Sequence, residues 1–437
     1  MTTASPGPRT GTRRITLLAA LAVFAQESTW NFYESQVPPL LREHLTSAAL
    51  VGVLMGMDNL LGIFIQPWMG SRSDHTRTSW GRRMPYLVVG MPVAAALFIV
   101  IPHATASLPV LILVMFSYAL VANAFKPIAE ALVPDFIAPE RRSRANAVVK
   151  IATSLTTIAA AVISLLLVDD HPKIAFAIPA GIMLSSIAVL AATVRDSRSS
   201  AYRAAVAESG AQPRNGAARR RVRDTLKEIV SDRDRSRLLL LGAIVLFGSA
   251  WSASRSLITP FGMETLDLTR GDAGGLTLPS GLAFIAAAYP AAILAERYGR
   301  LRVITGGMTL FAAALTLGTC LRTPTGVTAA LCVGAAGAAC FLVNAAVVLW
   351  NLAPSAHVFG TYAGMYSISW ASGGFVGPTL VGAMVDATGW PLMLIDIALI
   401  AAVAIALVVR IDVSRRGAAT PAVGGPAGQA DDAVVAE

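Results

Sequence analysis

The sequence is poor in charged residues. Only 14% of its 437 residues are Asp, Glu, Lys or Arg, against roughly 25% in average soluble domains. Hydrophobic residues make up 55% of the chain, and the mean hydropathy is +0.62. This composition excludes an ordinary soluble domain and a disordered chain, and it indicates a protein embedded in a lipid bilayer.

Cysteine and the common catalytic motifs are also scarce. The three cysteines, Cys320, Cys332 and Cys340, fall within or at the edges of apolar stretches and lack the spacing of a metal site. The sequence has no phosphate-binding loop, no zinc motif and no Ser-His-Asp set that would meet at a membrane face. We therefore expect no enzymatic activity, no bound metal and no cofactor.

Long apolar segments account for most of the chain. Each is long enough to cross a ~30 Å hydrocarbon core as a helix. They form twelve spans, six on each side of one polar break: 15–41, 46–70, 84–103, 107–133, 146–168 and 172–194, then 238–262, 274–295, 301–321, 326–350, 358–385 and 390–410. The sequence thus predicts an all-α integral membrane protein with two six-helix halves, 15–194 and 238–410. An amino-terminal segment (1–14), a basic linker (195–237) and a disordered tail (411–437) complete this division.

The formal net charge of +9 is distributed unevenly along the chain. With the amino terminus placed inside, 29 of the 35 Lys and Arg lie on cytoplasmic segments and four lie on the opposite side. Loops rich in Lys and Arg resist translocation, so we expect a multi-pass protein of the cell membrane with both termini cytoplasmic. The basic charge therefore reflects topology, and we expect no nucleic-acid partner. The linker 195–237 is interpreted as a solvated tether, with a regulatory segment as the alternative.

The most informative segment is the short basic loop between spans 2 and 3, residues 70–86. It reads Gly-Ser-Arg-Ser-Asp-His-Thr-Arg-Thr-Ser-Trp-Gly-Arg-Arg-Met-Pro-Tyr. Asp74 stands at the end of span 2, and Arg82 and Arg83 follow Gly81 at the start of span 3. Because opposite charges attract across so short a loop, we expect these three side chains to form a charged cluster.

Several motifs in the chain resemble those of major facilitator superfamily (MFS) transporters. The pattern Gly70-x-x-x-Asp74, then Gly-Arg-Arg, is similar to the loop between helices 2 and 3 of that family. The ending Trp-Gly-Arg-Arg-x-Pro-Tyr looks more like the sugar:cation symporter branches, the sucrose-transporter-like and the glycoside-pentoside-hexuronide groups. Between spans 8 and 9, Glu296, Arg297 and Arg300 repeat the acid and the Gly-Arg of the loop at the matching place in the second half.

Two further stretches carry this resemblance. One runs from Pro134-Asp135 to Ala145-Asn146 after span 4, and the other joins Gly360–Tyr366 to Gly377-Pro378 and Asp386-x-x-Gly389 in span 11. The resemblance implies a cavity between the halves, lined mainly by spans 1, 4, 7 and 10 and opening alternately to each side. It also implies that the charged loop controls closure.

Polar side chains inside the membrane need a specific reason, because each charge costs at least ~2.5–3.5 kcal/mol on insertion scales. Glu27, Asn31 and Glu34 in span 1 are spaced so that they share one helical face, with Trp30 beside them. This face could simply pack against polar groups of neighbouring helices. Two carboxylates, an amide and an indole on one stripe favour the wall of a cavity.

The number of intramembrane acids exceeds the number of bases. Four carboxylates face two cations, Lys126 in span 4 and Arg255 in span 7, so at least two acids lack a basic partner. Burial disfavours the charged form, so some of the acids should be protonated at one stage of a cycle. The expected proton-coupling residues are Glu27, Glu34, Lys126, Glu130 and Asp58.

Glu27 is the leading proton carrier on this interpretation. Lys126 would alternate between Glu27 and Glu130, which lies one turn further along span 4. The alternative is a permanent pair of Lys126 with Glu130. Asp58 has an alternative as well, a permanently neutral acid that acts as a hydrogen-bond donor.

The sequence also suggests the substrate. Amides and carboxylates bind sugar hydroxyls, and aromatic rings stack on the apolar face of a sugar. The expected lining residues are Trp30, Asn31, Asn123, Trp251, Arg255, Asn344, Tyr362 and Tyr366. We therefore expect a monomeric, proton-coupled symporter of a sugar or glycoside.

Three alternatives bear on this functional interpretation. A proton-driven exporter of drugs or small metabolites would have the same fold, and a non-transporting sensor or scaffold is the second alternative. Sodium is a less favoured coupling ion than the proton. In the melibiose-type branch a carboxylate that serves sodium stands just before a proline, whereas this chain has Gln66 before Pro67.

Overall fold

The computed structural model describes residues 9–136, 142–194, 235–352 and 359–419. Within these ranges the chain forms twelve long helices, and its only strand-like feature is an isolated bridge between Thr78 and Gly81. The helices of the first half are α1 (Arg9–Arg42), α2 (Ala48–His75), α3 (Met84–Val100), α4 (Leu108–Glu130), α5 (Arg142–Leu167) and α6 (Pro172–Thr193). Those of the second half are α7 (Ser236–Ser256), α8 (Thr277–Tyr298), α9 (Arg300–Leu321), α10 (Pro324–Asn351), α11 (Phe359–Thr388) and α12 (Met393–Ala419).

These helices confirm the predicted all-α architecture. Ten helical segments in the described ranges are long and apolar enough to cross a membrane. Of the other two long helices, α1 carries Gln26, Glu27 and Asn31 in its middle, and α5 has a shorter apolar stretch, Ala152–Leu167. The polar residues that lower the hydropathy of α1 are therefore the same ones that the sequence predicts to be functional.

The ends of the chain differ in detail from the expected boundaries. Helix α1 already begins at Arg9, within the segment expected to precede the first span, and α12 continues to Ala419, past the expected end at 410. Most of the predicted linker, residues 195–234, and most of the predicted tail, residues 420–437, lie outside the described residues. Residues 137–141 of the motif after span 4 also lie outside them.

Each half contains its own aromatic cluster. In the first half, Phe32 of α1, Phe98 of α3 and Phe176 of α6 are fully buried, and the ring centroid of Phe176 lies 5.0 Å from that of Phe32 and 5.1 Å from that of Phe98. In the second half, Phe247 of α7 lies 5.2 Å from Phe311 of α9 and 4.4 Å from Phe341 of α10. Such edge-to-face and tilted pairs stabilise packing beyond their burial. They give each half its own aromatic cluster within one continuous apolar core that the two halves share.

The two halves meet through two main helix pairs, α2 with α11 and α5 with α8. We call the end of the bundle where α1 begins and α12 ends the terminal end, and the opposite end, where α2 begins, the distal end. Glycines allow close approach at the distal end. A Cβ atom on Gly52 would lie 2.1 Å from the Pro378 carbonyl oxygen, and one on Gly382 would lie 2.3 Å from that of Ala48. Backbones packed this closely are typical of tight helix contacts in membranes.

Candidate functional site

Two ion pairs connect α1 to its neighbours in the middle of the bundle. The Lys126 ammonium of α4 lies 3.4 Å from Glu27 Oε1, and Arg255 Nε of α7 lies 3.5 Å from Glu34 Oε2. The four side chains are 14–23% exposed, so they are largely but not fully buried. The structure thus pairs both cations with acids of α1, and the second pair joins the two halves.

Asn31 lies between these pairs and links three helices. Its Nδ2 atom donates to the Glu27 carbonyl at 3.0 Å and to Thr156 Oγ1 at 2.9 Å. Its Oδ1 atom accepts from Thr157 Oγ1 at 3.1 Å and from Arg255 Nη2 at 2.8 Å. The amide of Asn31 therefore fixes α1 against α5 and orients the Arg255 guanidinium at the same time.

Two tryptophans flank this polar network. Lys126 Nζ lies 5.0 Å from the ring centroid of Trp30, and the Arg255 guanidinium lies 5.9 Å from that of Trp251, both within the range of cation–π contacts. Trp30 Nε1 also donates to Glu34 Oε1 at 3.2 Å. Trp30 and Glu34 have the same i, i+4 spacing in α1 as Trp251 and Arg255 in α7, the equivalent helix of the other half.

A pocket opens beside Trp251 and Arg255. Its polar lining is provided by Ser254, Thr277 and Ser280, and its apolar lining by residues of α9 and α10 such as Phe311 and Leu331. Each of the three hydroxyls donates to a backbone carbonyl nearby in its own sequence, at 2.7–3.0 Å. Because a hydroxyl that donates still has acceptor capacity, these groups can receive hydrogen bonds from a ligand.

Asp58 and Asn123, also predicted at the site, are occupied in helix packing. Asp58 is buried and its Oδ1 atom accepts from the backbone N–H and side-chain Nδ2 of Asn59, at 2.5 and 2.8 Å. Asn123 donates to the carbonyls of Asp58 and Ala119 and accepts from Gln66 Nε2 at 2.7 Å. Asn123 therefore joins α4 to α2, with both amide hydrogens directed to backbone carbonyls.

The remaining predicted lining residues lie in the second half, and Glu130 lies on α4. Asn344 is buried and donates to the Cys340 carbonyl at 2.9 Å, which keeps it close to its own helix. Tyr362 is buried, and Tyr366 is half-buried and stacks on Trp370 with a centroid distance of 6.4 Å. Glu130 is exposed at the end of α4, one turn beyond Lys126.

The loop between α2 and α3 forms the predicted charged cluster at the terminal end. Arg83 Nη2 lies 2.6 Å from Asp74 Oδ1, and the structure adds a partner from after α4: Asp135 binds Arg82 Nη2 at 2.6 Å and Arg83 Nε at 2.8 Å. Arg83 also donates to the Ser73 hydroxyl. Burial alone lowers the pKa of the Arg83 guanidinium, but Asp135 and Asp74 outweigh burial and raise it above its ordinary value.

The glycines of this loop differ in their role. Gly81 adopts φ 105°, a conformation that L side chains rarely take, so the turn into α3 requires glycine. A Cβ atom on Gly70 would meet nothing within 4 Å. The repeat of this motif in the second half lies between α8 and α9, and its Glu296 and Arg297 are exposed. The Arg297 guanidinium lies 5.3 Å from the ring centroid of Tyr298, and Arg300 lines a cleft with Asn351.

At the distal end, polar contacts hold the two halves together. Asp386, at the end of α11, accepts from Ser47 Oγ at 2.6 Å and from the backbone N–H groups of Ala48 and Ala49 at 2.6 and 3.1 Å. Arg42 pairs with Glu264 at 2.6 Å in the short helix Ile258–Leu266. These contacts lie beyond the level of Asn31 and close the distal end.

A second group of distal contacts involves the short helix Arg270–Gly275. Arg270 donates to the side-chain and backbone oxygens of Gln36 at 2.9 and 2.7 Å, and Gly271 N donates to Asp169 Oδ1 at 2.8 Å. A Cβ atom on Gly274 would lie 2.4 Å from Gln36 Nε2. This helix therefore packs its glycine side tightly against α1 and α5.

Comparison with known proteins agrees with this architecture. A family model described as Major Facilitator Superfamily matches residues 16–285 and 257–431, which together span nearly all of the chain. The chain belongs to the major facilitator superfamily. An MFS protein is a transporter embedded in a membrane, with a small-molecule substrate, and this chain is a multi-pass member of that class.

Sequence relatives of this MFS chain match over short stretches. The human "Membrane-associated transporter protein" is 33% identical over 95 residues, which are 21% of this chain and 18% of the relative. Human "Solute carrier family 45 member 3" is 32% identical over 85 residues, 19% and 15% of the two chains. "Sucrose transport protein SUC4" of Arabidopsis thaliana is 29% identical over 100 residues, which are 23% of this chain and 20% of the relative. The matches thus span about a fifth or less of each relative.

Solved structures show the same fold over most of the chain. A bacterial homologue of the human lysosomal transporter Spinster, in an inward-facing and unoccupied conformation, has a TM-score of 0.74 with 13% identity and covers 95% of this chain and 100% of that one. A point mutant of the nucleoside transporter NupG has a TM-score of 0.71 with 14% identity, and the match covers 91% of this chain and 99% of that one. At this level of identity the likeness establishes the MFS fold alone.

Proposed function

We propose that this MFS transporter is a proton-coupled symporter of a sugar or glycoside. The observation that carries the proposal is the polar face of α1, where Glu27 and Glu34 are paired with Lys126 and Arg255 beside two tryptophans. Intramembrane ion pairs of this kind mark substrate and proton pathways, since their burial is costly without a function. The relative named for sucrose transport supports the same substrate class.

The groups that line the pocket beside Trp251 fit a sugar, and the cavity, about 30 Å³ in this structure, must widen to admit one. Its three hydroxyls can accept hydrogen bonds, its guanidinium can donate them, and the indole ring offers an apolar surface on which a sugar ring can stack. An exporter of apolar drugs would be better served by a lining without these groups. The pocket chemistry therefore favours a polyhydroxylated substrate.

The distribution of basic residues supports an orientation for transport. With the terminal end facing the cytoplasm, most Lys and Arg of the sequence lie inside. The distal end, closed by Asp386 with Ser47 and by Arg42 with Glu264, then faces the outside. Import requires this outer closure to open and re-form once in each cycle.

Proton coupling is proposed to use Glu27. In this structure the Lys126 ammonium lies 3.4 Å from Glu27 and is its counter-charge. When Lys126 turns toward Glu130 one turn away, Glu27 loses its counter-charge in a largely buried position and takes up a proton. A lysine with two alternative acidic partners can thus link protonation to the conformation of α4 against α1.

Uptake by purified protein in proteoliposomes tests this function. The vesicles are given an inward proton gradient, and a panel of labelled neutral sugars, methyl glucoside among them, is compared with apolar drug-like compounds. We expect accumulation of a sugar above its external concentration that stops when a protonophore collapses the gradient. Accumulation that follows a sodium gradient at constant pH, or transport of the apolar compounds alone, would overturn the proposal.

A further inference from the structure

The contact between Glu34 and Arg255 has a consequence for which sugars the site accepts. Arg255 lies in a pocket wall, and a guanidinium is the side chain best suited to bind a carboxylate, because its planar N–H groups match two carboxylate oxygens. In this protein a carboxylate already lies there. Glu34 Oε2 is 3.5 Å from Arg255 Nε, and Trp30 holds the other Glu34 oxygen at 3.2 Å.

The geometry fixes Glu34 where a bound carboxylate would lie. Asn31 Oδ1 accepts a hydrogen bond from Arg255 Nη2 at 2.8 Å, so α1 both orients the guanidinium and supplies the acid, Glu34. Arg255 lines the pocket, and the Glu34 and Arg255 side chains are 20% and 23% exposed, so the pair is largely but not fully shielded from solvent. A second carboxylate placed at Arg255 would lie close to Glu34 and be repelled in a poorly screened environment.

We propose that Glu34 is the residue that restricts this transporter to neutral sugars and rejects sugar acids. The inference rests on the proposed function, because it assumes that the pocket beside Arg255 binds a sugar. Glu34 neutralises Arg255 from within the protein, so an uncharged hydroxyl or ring oxygen can hydrogen-bond to the guanidinium while a uronate carboxylate cannot.

Glu27 offers a matched comparison. It lies seven residues from Glu34 on the same face of α1 and is also paired with a cation, Lys126. Lys126 has a second acid nearby, because Glu130 lies one turn along the same helix. Among the described residues, the acid within 4 Å of Arg255 is Glu34. Removing the Glu34 charge should therefore expose a cation to the pocket, and removing the Glu27 charge should do so much less.

The test compares methyl glucoside with methyl glucuronide, which differ only in a hydroxymethyl group replaced by a carboxylate. In proteoliposomes without a pH gradient, each unlabelled compound is added as an inhibitor of the exchange of labelled methyl glucoside. The ratio of the two half-inhibiting concentrations is measured for wild type, Glu34→Gln, Glu34→Asp and Glu27→Gln. In Glu34→Gln we expect the preference for the neutral compound to fall about 10-fold, the effect of removing one close like charge.

The controls separate a local charge effect from a general one. Glu34→Asp keeps the charge and should retain the wild-type preference, and Glu27→Gln should change it less than about twofold. The double variant Glu34→Gln/Arg255→Gln should not bind the glucuronide better than wild type does, because the cation is gone. If exchange by Glu34→Gln is too slow to measure, quenching of tryptophan fluorescence by the two compounds gives the same ratio from binding.

Three results would overturn the inference: an unchanged ratio in Glu34→Gln, an equal change in Glu27→Gln, or a change that persists in the double variant. A wild-type protein that neither binds nor exchanges any neutral sugar of the panel would instead refute the proposed function. The two failures are distinguishable, because the three results that overturn the inference require a wild type that binds or exchanges methyl glucoside.

Discussion

The Asp386 carboxylate lies 2.6 Å from the Ser47 hydroxyl and thereby ties the end of one half to the first turn of a helix in the other. The same carboxylate accepts two backbone N–H groups of that turn. Hydrogen bonds to a charged acceptor are the strong ones, and the positive end of the helix dipole adds to them. Asp386 is therefore the main polar contact that closes α11 over α2.

Replacing Asp386 by Asn should loosen the distal end. Because Asp386 is exposed and asparagine keeps one acceptor oxygen, loss of the charge should cost about 1 kcal/mol, so exchange of the amide hydrogens around Ala48 should accelerate about 5-fold. Hydrogen–deuterium exchange with mass spectrometry of peptides covering residues 45–56 measures this. Asp272→Asn, an exposed acid at the same end, should leave those peptides unchanged. Equal protection in Asp386→Asn and wild type would contradict the prediction.

Replacing Gly52 by Ala should disfavour the distally closed state without unfolding the protein. The added Cβ would lie 2.1 Å from the Pro378 carbonyl oxygen, so α2 and α11 must separate. Overpacking of this kind costs about 1–3 kcal/mol, and we expect the maximal transport rate to fall about 10-fold. Gly181→Ala is the control, since a Cβ there meets nothing within 4 Å. A wild-type rate in Gly52→Ala would show that this closure is not required.

Asp135 and Asp74 should differ in their effect on stability. Asp135 is 8% exposed and binds both Arg82 and Arg83, so Asp135→Asn should destabilise the protein by about 3–5 kcal/mol. Asp74 is 52% exposed, so Asp74→Ala should cost less than about 1 kcal/mol. Thermal unfolding of the detergent-solubilised variants compares the two. A larger loss for Asp74→Ala than for Asp135→Asn would reverse this ranking.

Asp74→Ala should nevertheless slow transport. Its pair with Arg83 connects α2 to α3 at the terminal end, where the halves must move against each other. We expect a reduced transport rate with nearly unchanged substrate binding, measured by uptake and by tryptophan fluorescence on the same preparation. Wild-type uptake in this variant would remove the loop from the transport mechanism.

Replacing Glu27 by Gln should abolish accumulation driven by a pH gradient but spare exchange. Glutamine keeps the size of the side chain and resembles the protonated acid, but it cannot take up or release a proton. Uptake and exchange are measured in the same vesicles, and Glu43→Gln, an exposed acid just beyond α1, is the control. Continued accumulation by Glu27→Gln would transfer the coupling role to Glu34 or Asp58.

The helices and the pair of Glu27 with Lys126 could be predicted from the sequence. The pair of Glu34 with Arg255 was not predicted, although a buried charge needs a partner at its own depth. Asn123 and Asn344 show the limit of this reasoning. Both are polar and intramembrane, yet their amides bind backbone carbonyls in the helix packing, because an amide can be satisfied locally where a charge cannot.

The contacts that close the bundle were not predictable in the same way. Asp135 and Asp386 both stand in recognised motifs, but their partners, Arg82 with Arg83 and the first turn of α2, depend on how distant helices pack. The same holds for Thr156 and Thr157, which bind Asn31 from α5. Single hydroxyls in apolar spans give no sequence signal that distinguishes a cross-helix partner from one bonded to its own helix.

The matched spacing of Trp30 with Glu34 and of Trp251 with Arg255 bears on the contact between the two halves. A dimer of identical six-helix units would bring two copies of one residue together at this place, either two acids or two bases. Like charges in contact inside a membrane repel each other, so neither arrangement could form the observed bridge. The Glu34–Arg255 contact therefore depends on a difference between α1 and α7, because an acid follows Trp30 and a base follows Trp251 at the same spacing.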